Sequence, residues 1–108
     1  MNRMKNEFGA LLDKNGYAPS ILKRHEGCHI CGRRDLALQR HEVFHGNNRE
    51  KSKEYGLWIE VCWNCHNVIH NGNGELDRCL KKESEQIALI QYRWSLDDFR
   101  SRFGKSYL

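Results

Sequence analysis

Four of the five cysteines in this 108-residue chain form two Cys-x-x-Cys pairs, and these pairs constrain the fold more than any other feature. The first pair is Cys28 and Cys31, and the second is Cys62 and Cys65. A Cys-x-x-Cys pair in a tight turn directs both sulfur atoms toward one point, so two pairs can complete a tetrahedral site of four sulfurs. Gly32, directly after the first pair, allows the backbone to turn behind the metal. The donor set predicts a structural Zn2+.

Two disulfides are the alternative use of the same four thiols. Disulfides persist mainly in secreted proteins and other oxidising surroundings, and the N-terminal residues show no signal-peptide pattern. We therefore expect a zinc site in a reducing, intracellular compartment. His29 or His66 could replace one thiolate, although four cysteines already satisfy the metal.

The length and composition predict one small domain over residues 1–108. Only 39% of the residues are hydrophobic and the mean hydropathy is −0.82, so the core is small. A bound metal is a common source of stability for such a domain. The formal net charge of +4 is compatible with a phosphate-backbone partner, and equally with an ordinary surface. No apolar run reaches membrane-spanning length, so we do not expect a membrane protein.

The hydrophobic pattern predicts an α+β fold. The expected elements, in chain order, are strands over 36–44 and 57–61 separated by a short helix over 49–55, a helix over 64–70, a longer helix from Glu75, and a last helix over 96–103. Ser95 and Asp98 resemble a capping box at the start of the last helix. Cys79, the fifth cysteine, is expected to be buried on the longer helix.

Two histidines follow the second cysteine pair at a spacing of four residues. Residues four apart share one face of a helix, so His66 and His70 can bind one cation together. His41 and Glu42 lie near the end of the first predicted strand, which the strand pair brings toward this helix. The sequence therefore predicts a second metal site, although two surface or half-buried histidines would show the same spacing.

The combined pattern resembles the HNH endonucleases, a family with a ββα-metal (His-Me finger) fold that often carries two zinc knuckles. The residues that carry the resemblance are Cys28-x-x-Cys31, His41-Glu42-Val43-Phe44 and Cys62-x-x-Cys65-His66-x-x-x-His70. The run from Arg40 to His70 resembles small HNH-type proteins of bacteriophages and prophages, and so, less specifically, does the tail from Phe99. The resemblance implies a zinc-stabilised ββα-metal core over 20–74 and a C-terminal helical extension over 75–108.

The resemblance also implies residue roles. His41, His66 and His70 correspond to the ligands of a catalytic divalent metal, expected to be Mg2+ with Mn2+ or Ni2+ as substitutes. Glu42 falls at the position of the general base, where the family usually has histidine. A carboxylate with an ordinary pKa of about 4.3 is a weaker base than imidazole near neutral pH. The base could instead be His41, with Glu42 as a ligand, or His45 from the loop.

Other roles stay open at this point. The asparagine that orients the base in the family could be any of several residues near the site: Asn47, Asn48, Asn64 or Asn67. Arg40 and Arg49 are expected to contact the DNA phosphate, with solvated surface arginines as the alternative. Trp58 and Trp63 could stack on a nucleobase, but packing in the core is the favoured interpretation.

The implied function is a metal-dependent DNA endonuclease that hydrolyses phosphodiester bonds. Its expected partner is DNA, and a phage terminase or another phage protein is a second candidate. If the protein is phage encoded, its expected location is the cytoplasm of the host cell. The alternative is a catalytically inactive zinc-binding module that binds DNA or protein, and Glu42 at the base position favours it.

Overall fold

The computed structural model describes residues 4–108, which form a small α+β fold with one two-stranded sheet and four α-helices. In chain order the elements are β1 (Leu38–Glu42), a 3-10 turn (Gly46–Asn48), α1 (Arg49–Glu54), β2 (Trp58–Cys62), α2 (Trp63–Asn71), α3 (Glu75–Tyr92) and α4 (Leu96–Phe103). The predicted α+β class is confirmed. Each strand and helix predicted from residue 36 onward is present, with ends that differ by two residues at most. The short helix that the sequence suggested over 20–24 is absent.

The two strands pair antiparallel, and their register decides which side chains share a face. His41 lies opposite Ile59, and Glu42 lies opposite Trp58. Because side chains alternate along a strand, Gln39 and His41 share one face, while Glu42 and Trp58 lie on the other. Helix α2 begins directly after β2 and packs on the His41 face.

Buried hydrogen bonds fix the connection from β1 to β2. The Val43 N–H donates to the Leu57 carbonyl (3.1 Å), and the Phe44 N–H donates to Ser52 Oγ (3.1 Å). The Ser52 hydroxyl in turn donates to the Leu57 carbonyl (2.5 Å) and is fully buried. Gly56 ends α1 with a positive φ of 69°, a conformation that costs glycine little. These contacts hold the end of β1, and with it His41, in a defined place.

The C-terminal helices share a core with the sheet. Phe44, just after β1, packs against Phe99 and Phe103 of α4, with ring centroids 5.4 Å and 4.9 Å away. Helix α4 begins with the predicted capping box, in which the Asp98 N–H donates to Ser95 Oγ and the Ser95 N–H donates to Asp98 Oδ2. Residues 75–108 are therefore packed on the strands through a continuous apolar cluster.

Helix α3 buries one stripe of its surface, formed by Leu80, Ser84, Glu85 and Ala88. Cys79 precedes this stripe by one residue and is exposed, so the prediction that it is buried is wrong. The reason is register, since a step of one residue turns a helical side chain by about 100°. Within residues 4–108, neither α3 nor any other helix combines the length and the apolar character needed to span a bilayer.

The chain before the first cysteine pair lies across the helices. The side-chain amide of Asn6 donates to the Glu54 carbonyl at the end of α1 (2.9 Å). Phe8 stacks on Tyr92 of α3 at a centroid distance of 4.3 Å. The N-terminal segment therefore contacts both α1 and α3.

Candidate metal centres

The four cysteines of the two pairs meet at one point. The four Sγ atoms all lie within 4.8 Å of one another, and the Sγ atoms of Cys31 and Cys62 are 3.9 Å apart. A tetrahedral zinc site with Zn–S bonds of about 2.3 Å places its sulfurs about 3.8 Å apart. The predicted convergence of Cys28, Cys31, Cys62 and Cys65 is confirmed, and the cluster could bind a structural metal such as zinc.

Backbone hydrogen bonds shape this cluster. The Cys62 N–H donates to Cys28 Sγ (3.4 Å), and the Gly32 N–H donates to the Cys28 carbonyl (2.8 Å). Gly32 has a φ of 77°, as expected for the turn behind the first pair. The His29 N–H donates to the Glu60 carbonyl of β2 (2.8 Å), so the first pair is attached to the sheet as well as to the second pair.

The acidity of the thiols suits a metal ligand set. Burial opposes ionisation of the Cys28 thiol, but hydrogen bonds from the backbone of Cys31, Cys62 and Ile30 lower its pKa to about 6. Burial and the neighbouring cysteine sulfurs raise the pKa of Cys65. Each ionised sulfur thus disfavours ionisation of its neighbours. A cation at the centre of the cluster would offset this repulsion and stabilise the thiolates, which are the form that binds metal.

Three histidines, one from β1 and two from α2, form a second cluster. One ring nitrogen from each of His41, His66 and His70 lies within 4.8 Å of the other two. The Nε2 atoms of His66 and His70 are 3.1 Å apart, and the His41 ring centroid lies 5.2 Å and 5.1 Å from theirs. The structure therefore brings together the three side chains that the sequence predicted as ligands.

His41 is the buried member of this histidine cluster, with only 1% of its surface exposed. Its Nε2 is the one buried side-chain polar atom in residues 4–108 that has no hydrogen-bond partner. Leaving such an atom unpaired costs about 1–3 kcal/mol, and coordination to a cation would satisfy it. Burial, followed by the charges of His70 and His66, lowers the pKa of His41 to about 4. The ring is therefore neutral near pH 7, which is the form that binds a metal.

Gln39 orients the second histidine. His66 Nδ1 lies 2.7 Å from Gln39 Oε1, and an amide oxygen can only accept, so Nδ1 carries the proton. His66 Nε2 then presents its lone pair toward His70. A hydrogen bond of this kind fixes the tautomer of many metal-binding histidines. Sequence reasoning missed Gln39, although its position two residues before His41 places both on one face of β1.

Glu42 lies on the opposite face of β1 from His41. Its Oε1 accepts hydrogen bonds from the Tyr17 hydroxyl (2.8 Å) and from Arg49 Nε (2.9 Å). Burial alone would raise the pKa of Glu42, but the hydrogen bonds from Arg49 and Tyr17 outweigh it, and the pKa is lowered. The predicted base is thus an ionised carboxylate held by two donors, and the predicted phosphate contact Arg49 is one of them.

Arg40 also lies on the face of the sheet away from the histidines. Its guanidinium is 4.5 Å from the Tyr17 ring centroid and 4.4 Å from that of Trp58, and it bonds to Asp13 Oδ2 (3.1 Å). Trp58 is half-buried beneath it and donates its Nε1–H to the Ala18 carbonyl (2.8 Å). The contacts of Trp58 with Arg40 and Ala18 agree with the interpretation that this indole packs within the protein.

A residue of the C-terminal extension, Asp77, contacts a fourth histidine that lies near the cluster. His45 Nε2 lies 2.9 Å from Oδ1 of Asp77, in the first turn of α3. The His45 ring centroid is 5.9 Å from that of His41 and 5.4 Å from that of His70. Burial raises the pKa of Asp77, but hydrogen bonds to His45 and Lys81 lower it overall. Sequence reasoning assigned no role to residues 75–108 at the site, because no local pattern connects Asp77 with His45.

An open groove of about 210 Å³ runs beside the histidine cluster. Its lining residues are Gln39, Trp63, His66, Asn67, His70 and Asn71. Trp63 is 65% exposed, so the prediction that it packs in the core is wrong. It is the first residue of α2 and faces outward, since Ile69 is the residue of α2 that packs inward. Of the candidate motif asparagines, Asn67 lines the groove, whereas Asn48 donates to the Phe103 carbonyl (2.9 Å).

Comparisons of the chain with protein-family models, with curated proteins and with solved structures found no match. The sequence and the structure together therefore define a small α+β protein with a four-cysteine cluster that could bind zinc. Its function is inferred from the histidine cluster, formed by His41 of β1 with His66 and His70 of α2.

Proposed function

We propose that this protein is a metal-dependent DNA endonuclease of the HNH type, which hydrolyses phosphodiester bonds. The observation that carries the proposal is the convergence of His41 from β1 with His66 and His70 from α2. The unpaired, buried Nε2 of His41 supports a ligand role, because an ordinary surface cluster would leave no buried polar atom unsatisfied. The order of strand, strand and helix around the cluster agrees with a ββα-metal core.

The three imidazoles would hold one divalent cation. Imidazole donors suit a transition metal such as Ni2+ better than Mg2+, which prefers oxygen ligands. When bound, the cation would polarise the scissile phosphate and stabilise negative charge on the leaving oxygen. His41 would hold its place because it is packed within the core, and Gln39 would keep the lone pair of His66 directed toward the cation.

The four cysteines would bind a structural Zn2+. Such an ion would fix the start of α2, through Cys62 and Cys65, to the first pair at Cys28 and Cys31. The first pair is in turn attached to β2 by the hydrogen bond from His29 to Glu60. The ion would thereby set the distance between the strand that carries one histidine and the helix that carries the other two.

The experiment that tests the nuclease proposal is nicking of supercoiled plasmid by the zinc-loaded protein with added Mg2+, Mn2+ or Ni2+. We expect relaxed plasmid with at least one of these cations and none after chelation of the added metal. A zinc-loaded, folded protein that leaves the plasmid intact with all three cations would contradict the proposal. The same assay with a phage terminase added would test whether the cleavage needs that partner.

A zinc-binding module without catalytic activity is the second candidate function. The observation that favours it is Glu42, whose Oε1 already accepts hydrogen bonds from Tyr17 and Arg49 at the position where the family has its base. This candidate predicts DNA binding without nicking. The plasmid assay, run beside a binding measurement on the same sample, separates the two functions.

The groove beside the histidines supports a nucleic acid as the substrate. Trp63 offers an exposed indole, and Asn67 and Asn71 offer amides that can bond to base edges. Stacking of a base on an aromatic side chain is worth about 1–3 kcal/mol. We therefore expect Trp63→Ala to weaken binding of a single-stranded oligonucleotide by about tenfold, measured by fluorescence anisotropy.

Two variants serve as controls for this binding experiment. Trp63→Phe keeps an aromatic face and should bind within a few-fold of the unchanged protein. Ile90→Ala removes an apolar side chain that is 80% exposed on α3 and should have no effect. Equal affinity of Trp63→Ala and the unchanged protein would exclude stacking on this residue.

A further inference from the structure

We propose that His45, oriented by Asp77, accepts the proton of the attacking water in the reaction. This inference rests on the proposed nuclease function and assigns the general base of the same site. Of the three residues that the sequence left open as the base, Glu42, His41 and His45, it selects His45. It also gives α3, outside the ββα core, the role of positioning the base through Asp77.

Glu42 is poorly placed for this task. It lies on the face of β1 opposite His41, together with Trp58. Its Oε1 accepts from both the Tyr17 hydroxyl and Arg49 Nε. These donors stabilise the ionised carboxylate, and a stabilised carboxylate has less tendency to take a proton. The two contacts fit a structural tie between β1, α1 and the N-terminal segment.

His45 lies beside the histidine cluster without belonging to it. Its ring centroid is 5.4 Å from that of His70 and 5.9 Å from that of His41. The residues whose ligand atoms meet within 4.8 Å are His41, His66 and His70. With 36% of its side chain exposed, His45 can reach a water molecule, whereas the buried His41 cannot.

The hydrogen bond to Asp77 fixes the tautomer of His45. An ionised carboxylate can only accept, so the proton lies on His45 Nε2, which donates to Asp77 Oδ1 over 2.9 Å. His45 Nδ1 is left with a free lone pair. Lys81 bonds to the other carboxylate oxygen of Asp77 (3.0 Å), and only 17% of the Asp77 side chain is exposed. A histidine oriented by a held carboxylate is a recurring arrangement for a general base.

The step is balanced in atoms and electrons. One O–H bond of the water breaks and its proton moves to His45 Nδ1. The freed electron pair of the oxygen forms the new bond to phosphorus. The phosphorus bond to the leaving sugar oxygen breaks, and that oxygen takes a proton from solvent. His45 then returns its proton to solvent, so the step needs no oxidant or reductant.

The test compares three variants of the zinc-loaded full chain in single-turnover cleavage at saturating Mn2+ and DNA. General-base catalysis contributes about 10²–10⁴-fold, so we expect His45→Ala to slow cleavage by at least about 100-fold. Added imidazole should restore part of the His45→Ala rate. Asp77→Asn should slow cleavage less, because it keeps a side-chain oxygen as an acceptor for His45. Glu42→Gln, which keeps the size of the side chain, should cleave within a few-fold of the unchanged protein.

Calorimetric titration with Mn2+ separates a base from a ligand. His45→Ala and Asp77→Asn should bind Mn2+ and DNA with unchanged affinity, so their effect falls on the rate alone. The proposal is overturned if His45→Ala cleaves at the normal rate, if it loses Mn2+ binding, or if Glu42→Gln is the variant that stops cleavage. An unchanged protein that cleaves with none of the cations overturns the nuclease function, and the assignment of His45 with it.

Discussion

Replacing Cys28 with serine should unfold this domain at temperatures where the unchanged protein is folded, whereas replacing Cys79 should not. The binding free energy of a structural Zn2+ is about 10–16 kcal/mol in small zinc domains. The net stability of a domain is about 5–15 kcal/mol. A zinc ion bound by the four cysteines would therefore contribute as much as the whole net stability of the domain. Cys28 and Cys62 belong to the same continuous apolar cluster as Phe44 and Phe99, so we expect one cooperative transition.

Thermal melting followed by circular dichroism checks this expectation. A loss of even about 4 kcal/mol lowers the Tm of a domain of this size by about 15 °C or more. Cys79→Ser is the matched control, because Cys79 is an exposed thiol on α3 outside the cluster. Chelation of zinc from the unchanged protein should reproduce the loss of helical signal. A chelated sample that keeps its full signal and Tm would show that the ion is not needed for the fold.

The elements that the sequence predicted well are those set by local patterns. The cysteine spacing correctly predicted that the two pairs meet at one point. The strand predicted over 57–61 is present as β2 with a shift of one residue. The capping box at Ser95 correctly marked the start of α4. Each of these signals lies within a few residues, where backbone geometry leaves few alternatives.

The parts of the site that sequence reasoning missed depend on contacts between distant elements. The pairing of His45 with Asp77 spans 32 residues and depends on where α3 packs relative to the loop after β1. The hydrogen bond from Tyr17 to Glu42 depends in the same way on the path of the N-terminal segment. Burial is equally non-local, since the exposure of Trp63 follows from which side of α2 the core occupies. A local pattern can predict a ligand, but it does not identify the distant residues that hold or orient its side chain.

Replacing His70 with alanine should abolish cleavage and leave the fold intact. His70 is exposed on α2, so its removal leaves no cavity in the core, and the apolar contacts of α2 are made by Ile69. Loss of a residue that merely orients a metal ligand costs about 10–100-fold in affinity or activity. Loss of a ligand itself should exceed that, so we expect a fall in nicking of more than about 100-fold. His66→Ala should behave alike.

His41→Ala is less informative because His41 is buried, and its loss would lower stability together with activity.

His25→Ala is the matched control, since His25 is an exposed histidine that stacks near His29, apart from the cluster. Circular dichroism and zinc content of one ion per chain should be the same in His70→Ala, His25→Ala and the unchanged protein. Calorimetry should show a weaker Mn2+ site that is lost only in His70→Ala. The four cysteines and the three histidines are separate sets of ligands. If His70→Ala loses the Mn2+ site and cleavage but keeps its zinc, the histidine cluster is a catalytic site and not a structural one. Normal nicking by His70→Ala would mean that the three imidazoles meet for some reason other than catalysis.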